Sequence, residues 1–143
     1  MVSAGDFFLG PLTTALRADE ILVDVEIPRH GRNCFWAFEE FTLRTGDFAI
    51  AGAAVMIDHD NRDDPVRFVA FGVGDKAYRL PSAELIIGKV GLTDKTIREA
   101  AASIGNDFEV RADIHASGEY RLALTKVLLE RSMNRLLTSG YQP

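Results

Sequence analysis

The chain has 143 residues, which suits one domain with a sizeable core. Apolar residues make up 47% and charged residues 26%, an ordinary globular balance, and the net charge of −5 argues against nucleic acid as a partner, because phosphate binding wants a basic surface. No apolar run approaches the ~20 residues that span a bilayer, no secretory signal pattern opens the sequence, and a lone Cys34 excludes an internal disulfide and a cysteine-rich zinc or iron–sulfur site; a cytoplasmic chain with no membrane partner is expected.

Residues 1–18 read as an N-terminal arm, with Phe7, Phe8 and Leu9 apolar and Gly10-Pro11 as breakers. Three apolar residues at a chain end dock on something, a homodimer partner being one candidate. "EILVDVEIP" alternates, with Ile21, Val23, Val25 and Ile27 on one side, and predicts a half-buried first strand ended by Pro28. "CFWAFEEFTLR" predicts a second strand, "TGD" a turn, and "AIAGAAVMID" a third strand. "HDNRDDP" is a polar hairpin loop, and "VRFVAFGVG" a fourth strand, apolar on both faces and so covered or central.

After Gly74 the texture turns helical. "PSAELII" predicts a short helix, with Pro81 in its first turn and Gly88 at its end. Thr93 caps a second helix, which runs to Gly105-Asn106, with Leu92 and Ile97 placed as a hydrophobic staple. Ser117 caps a long third helix carrying two apolar stripes, one of Tyr120, Leu124, Val127 and Leu128, the other of Leu122, Leu129, Met133 and Leu136. Two stripes predict a helix covered twice, by the sheet and by its neighbouring helices or another polypeptide. Strands first and helices after give an α+β two-layer sandwich, an antiparallel three- to four-stranded meander with three helices on one face.

Local patterns offer little chemistry. His30, His59 and His115 sit in loops, none with a cysteine or paired carboxylate at ligand spacing, so no metal site is expected. Asp58–Asp64 has the acidic texture of a calcium loop, yet Arg62 takes a ligand position, Asp63 replaces the required glycine and no glutamate closes it. "GVGDK" lacks the spacing of a phosphate loop. No nucleophile or general base is identified, and no catalytic residue is expected.

Taken in order, "DFFLGPLTTAL", "DEILVDVEIP", "AFEEFTLRTGDFAIAGAAV", "FGVGDKAYR" and "GEYRLALTKVLLER" resemble the C-terminal domain of the FAD-binding medium subunit of molybdenum hydroxylases, the family of xanthine dehydrogenases and aerobic carbon monoxide dehydrogenases. The resemblance runs from about Asp6 to about Leu137, and Arg44–Ala49 is its most specific element. It implies an oxidoreductase component that covers a flavin and docks its partners: an FAD-binding N-terminal domain, a molybdenum subunit and an iron–sulfur subunit. The glycine-rich cradle for the FAD pyrophosphate belongs to that N-terminal domain, which this chain is expected to lack, so FAD is expected to be shared rather than held by the chain alone. Five residues are implied as cofactor contacts: Phe38, Arg44, Asp47, Tyr78 and Arg79. Two departures stand out, since Phe38 replaces the family's usual tyrosine and Glu40 its usual lysine. They favour, as the alternative, a free-standing protein-interaction module without redox activity.

Overall fold

The structure, a computed structural model, describes residues 1–139. At the N-terminus Ser3 caps a single helical turn, α1 (Ala4–Phe7), which leads into a small hairpin of β1 (Phe8–Gly10) and β2 (Thr13–Thr14). The rings of Phe7 and Phe8 meet edge to face, and Phe8 and Leu9 stay half exposed.

The segment 20–28 forms no strand. Its apolar alternation is real, yet Ile21, Val23, Val25 and Ile27 are 84, 92, 66 and 79% exposed. Alternation records that a segment is suited to pairing and to half-burial. It does not say that the partner lies in the same chain, and among the described residues none does. The arm therefore extends to about residue 33, past the boundary near residue 18 expected from composition.

The sheet begins at Cys34. β3 (Cys34–Phe41), β4 (Ala51–Asp58), β5 (Val66–Phe71) and β6 (Tyr78–Arg79) form an antiparallel meander in that order. Four strands in a meander match the expected sheet, with the short β6 supplying the strand that 20–28 does not. One face carries Ala37, Ala51, Ala53, Val55, Ile57, Phe68 and Ala70, all buried under helices. The other face carries four cross-strand rows: Glu40–Gly52–Phe71, Phe38–Ala54–Val69, Trp36–Met56–Arg67 and Cys34–Asp58.

Three helices cover the first face. α2 (Pro81–Val90) runs through Gly88 and stops at Gly91, whose φ of +85° is the left-handed value that glycine adopts without strain. Gly88 is tolerated inside the helix because it packs there over Val66. Thr93 caps α3 (Asp94–Ser103) in a reciprocal box with Thr96, and Leu92 and Ile97 are buried as the staple requires. A 3₁₀ turn, Ile104–Asn106, ends it. Ser117 caps α4 (Gly118–Thr138) by accepting the Tyr120 N–H.

The helix α4 is covered, as expected, by the sheet and by α3, but the division into two stripes is corrected. Its buried face is a single one, Arg121, Thr125, Leu128, Leu129, Ser132, Met133 and Leu136, while Tyr120 and Val127 are about half exposed. The first expected stripe missed the buried polar residues, Arg121 and Thr125 between its members and Ser132 beyond them. Thr125 and Ser132 bring the helix close to the sheet because they are small, and their hydroxyls bond Arg121 O and Ala53 O respectively.

Candidate functional site

The helix-free face is the unusual surface. Trp36 is 69% and Phe38 46% exposed on β3, the edge strand of the sheet. The ring of Phe38 stacks on that of Phe71, centroids 5.0 Å apart and planes 19° from parallel. Gly52 makes this possible. It lies opposite Phe71 in register, and a Cβ there would collide with the far end of the Phe71 ring. The ring therefore lies across the glycine and reaches toward β3. Gly52→Ala is expected to displace Phe71 and destabilise the chain by about 1–2 kcal/mol, a typical overpacking cost. In a Phe71→Ala background the same change is expected to be nearly neutral; equal costs in both backgrounds, measured by urea unfolding, would contradict this role.

At the Phe71 end of that face lies the Arg44–Ala49 loop. The Ile50 N–H donates to Phe41 O, closing the loop at its base, and the Asp47 N–H donates to Arg44 O across a turn. Gly46, φ +83°, occupies the turn position that demands a left-handed backbone. The Asp47 carboxylate accepts the Phe48 N–H at 2.8 Å. No ion pair joins Arg44 to Asp47 among the described residues, so the two charges frame the turn without neutralising each other. Phe48 projects from it 93% exposed.

Beneath the loop is a concavity of about 240 Å³, bounded by Asp47, Phe48, Gly72, Arg111, Asp113 and His115. Arg121 forms its floor. This buried guanidinium donates through Nη1 to Ile50 O (2.5 Å) and Gly72 O (2.7 Å), and through Nη2 to both oxygens of Asp113 (2.7 Å each). One side chain thus ties the start of α4 to the entry of β4, the exit of β5 and the 111–116 loop. The Arg121 pair, helped by the His115 and Ala116 N–H groups, holds the Asp113 carboxyl at about 2. A self-sufficient small-molecule site runs to roughly 300–1,000 Å³. The concavity is smaller, too small to enclose a dinucleotide.

The five residues implied as contacts divide into two groups. Phe38 is on the open face, and Arg44 and Asp47 are in the loop beside it. Tyr78 lies on the helix side, stacked on Phe108 with centroids 5.7 Å apart. Arg79 is clasped by Glu84 (Nε to Oε1, 2.6 Å) and by Asp64 (Nη2 to Oδ1, 2.9 Å), while Glu84 also accepts the Phe68 N–H. These bonds raise the Arg79 pKa and lower that of Asp64. Trp36, Phe48 and Arg121 escaped the reading of the sequence. Trp36 was the most legible of them, lying two residues before Phe38 and so on the same face of any strand.

Residues 36–136 match the family model described as the CO dehydrogenase flavoprotein C-terminal domain. The chain belongs to that family. The nicotine 6-hydroxylase medium subunit of Paenarthrobacter nicotinovorans is 35% identical over 92% of this chain and 46% of its own length. The carbon monoxide dehydrogenase medium chain of Hydrogenophaga pseudoflava is 28% identical over 93% of this chain and 47% of its own. Among solved structures, quinoline 2-oxidoreductase from Pseudomonas putida 86 aligns with a TM-score of 0.83 at 32% identity, covering 97% of this chain and 48% of that one. The carbon monoxide dehydrogenase of Hydrogenophaga pseudoflava aligns with the same TM-score at 26% identity, covering 94% and 47%. The chain thus spans about half the length of the relatives it matches. The structural match also extends well beyond residues 36–136, taking in most of the arm that this chain leaves uncovered. As a member of the CO dehydrogenase flavoprotein C-terminal domain family, the chain has the α+β fold with an antiparallel sheet backed by helices that its solved relatives share. No helix among its described residues is long and apolar enough to cross a membrane.

Proposed function

We propose that the chain is the flavin-covering half of the FAD-containing medium subunit of a molybdenum hydroxylase. The observation that carries this is the open aromatic face of Trp36, Phe38 and Phe71, left bare in a chain half the length of its relatives. The residues suit a flavin ring and not a dinucleotide. Aromatic planes and an acceptor–donor turn can pack on and orient a flat heterocycle. The concavity is too small for the whole cofactor, and Glu40, exposed on the Phe38 side of the sheet, repels phosphate. When bound, FAD would supply the electron-carrying chemistry between iron–sulfur clusters and an acceptor.

In this reading Phe38 would pack against the flavin, Arg44 and Asp47 would offer it polar contacts, and Phe48 would shield it from water. Tyr78 and Arg79 brace the sheet edge from within the chain and have no cofactor role. The apolar side of 20–28 and the half-exposed Phe8 and Leu9 rest on the FAD-binding half of the subunit. Partners are that half, then the molybdenum and iron–sulfur subunits; the compartment is the cytoplasm.

Flavin fluorescence tests it. FAD titrated into the chain alone is expected to show no saturable quenching, because the pyrophosphate has no cradle. Supplying the N-terminal half in trans is expected to restore quenching, and Phe38→Ala to weaken binding by about tenfold, the scale of one aromatic stack. Tight FAD binding by the chain alone overturns the proposal. Failure to bind FAD with the N-terminal half present favours the free-standing interaction module.

A further inference from the structure

The far end of the helix-free face, roughly 20 Å along β4 from Gly52, carries a second cluster. Cys34 opens β3 and Asp58 closes β4, and the two are direct cross-strand partners. Side chains of such a pair share one face. His30, from the end of the arm, folds back over them, its Nδ1 3.1 Å from Asp58 Oδ2. The imidazole nitrogen, the thiol sulfur and the carboxylate oxygen all lie within 4.8 Å of one another. Asp58 is buried, Cys34 partly so, and His30 keeps one side open to solvent.

We propose that His30, Cys34 and Asp58 form a site for a zinc-class divalent cation, with water completing the coordination. The donor set decides the class. One nitrogen, one thiolate sulfur and one carboxylate oxygen suit a borderline cation that accepts tetrahedral geometry, and a thiolate disfavours calcium and magnesium. Zinc bonds are about 2.0–2.3 Å long, which puts neighbouring donors some 3.3–3.7 Å apart. The cluster closes on an ion with side-chain adjustments of about 1 Å.

The surroundings are prepared for it. Asp58 Oδ1 already accepts the Asp60 N–H, which orients the carboxylate and leaves Oδ2 for the ion. Asp60 in turn accepts from the Asn33 side chain, holding the loop just before Cys34. Arg67 opposes the ion, its Nη2 3.6 Å from Asp58 Oδ2, but its Nε also lies 3.8 Å from Asp64 Oδ2, so it keeps a carboxylate when Asp58 turns away. On binding, the Cys34 S–H proton leaves to solvent as the S–metal bond forms. The consequence is mechanical. His30 is an arm residue whose side chain reaches the sheet, so an ion there pins the exposed arm to the sheet corner.

Titration with Co²⁺ reports on the proposal directly, because a thiolate ligand gives a sulfur-to-cobalt charge-transfer band. The expected result is saturable one-to-one binding with that band, displaced by Zn²⁺. Cys34→Ser is expected to abolish the band, and His30→Ala to weaken binding at least tenfold, with His115→Ala as an unaffected control. A readout without variants comes from the single cysteine: Zn²⁺ is expected to slow its alkylation in the wild-type chain. Binding with no thiolate band, equal affinity in His30→Ala, saturation only at millimolar metal, or unchanged alkylation overturns the site.

Discussion

Arg121→Ala is expected to lower the stability of the chain by about 3 kcal/mol, the scale for removing one partner of a buried ion pair. That is roughly a 10 °C fall in Tm for a chain of this size. The reason is the number of groups one guanidinium satisfies. Its removal leaves Ile50 O and Gly72 O without their donor, and Asp113 without its bidentate partner. Arg121→Lys is expected to recover little, since one ammonium cannot bridge two carbonyls and a carboxylate with the geometry of a planar fork. A loss below 1 kcal/mol in urea unfolding would show that the junction is held by packing instead.

The same pair predicts a pH dependence. Asp113 has an ordinary value of 3.8 and is held at about 2 in the folded chain. A carboxylate depressed by folding stabilises the fold above its unfolded value and loses that contribution as pH falls through its folded one. The contribution is complete at neutral pH, declines from about pH 4, and is gone near pH 2. Arg121→Ala removes the largest cause of the shift, leaving the His115 and Ala116 N–H groups, whereas Asp58 and Asp64 keep their own depressed values. The stability gap between wild type and variant is therefore expected to narrow on acidification through this window. A gap constant from pH 6 to the acid transition would rule the linkage out.

Gly72→Ala is expected to cost about 2–3 kcal/mol, from two causes that add. Its φ of +72° is left-handed, and a Cβ would sit 2.6 Å from Ala49 O, a backbone atom that cannot rotate away. Gly46 separates the causes: its φ is +83° but nothing lies within 4 Å of its Cβ position. Gly46→Ala is expected to cost about 1 kcal/mol, from backbone strain alone. If both substitutions cost the same, the close approach of β5 to the Ala49 carbonyl contributes nothing. Because Gly72 O also accepts from Arg121, Gly72→Ala is expected to disturb the Arg121 junction beneath the Arg44–Ala49 loop as well.

Features set by neighbours in the chain were legible beforehand. The caps Thr93 and Ser117 and the staple of Leu92 and Ile97 act within a few residues, and each was read from its local pattern; their partners, Thr96 and the Tyr120 N–H, are added by the structure. The turn at Gly46 and the sheet strands Cys34–Phe41, Ala51–Asp58 and Val66–Phe71 were equally readable. The misreadings share a cause. Residues 20–28 have the pattern of a strand, but a strand needs a partner, and a pattern carries no information about where the partner is. Arg121 reads as one more surface arginine of an amphipathic helix, because Ile50 and Gly72 lie 71 and 49 residues away. His30, Cys34 and Asp58 look scattered until the β3–β4 register sets the last two opposite each other.

The sequence by itself determined the α+β order of elements, the ends of most helices, the turn at Gly46 and, by resemblance, membership of a flavoprotein family. These rest on interactions between residues a few positions apart, or on motifs preserved in order. Only the tertiary structure decided which aromatic residues stay bare, that Arg79 is held by Asp64 and Glu84 while Arg121 floors the concavity, and that a histidine, a cysteine and an aspartate converge at one sheet corner. Those depend on strand register and helix docking, where long-range contacts bring together residues whose spacing along the chain says nothing of their distance in space.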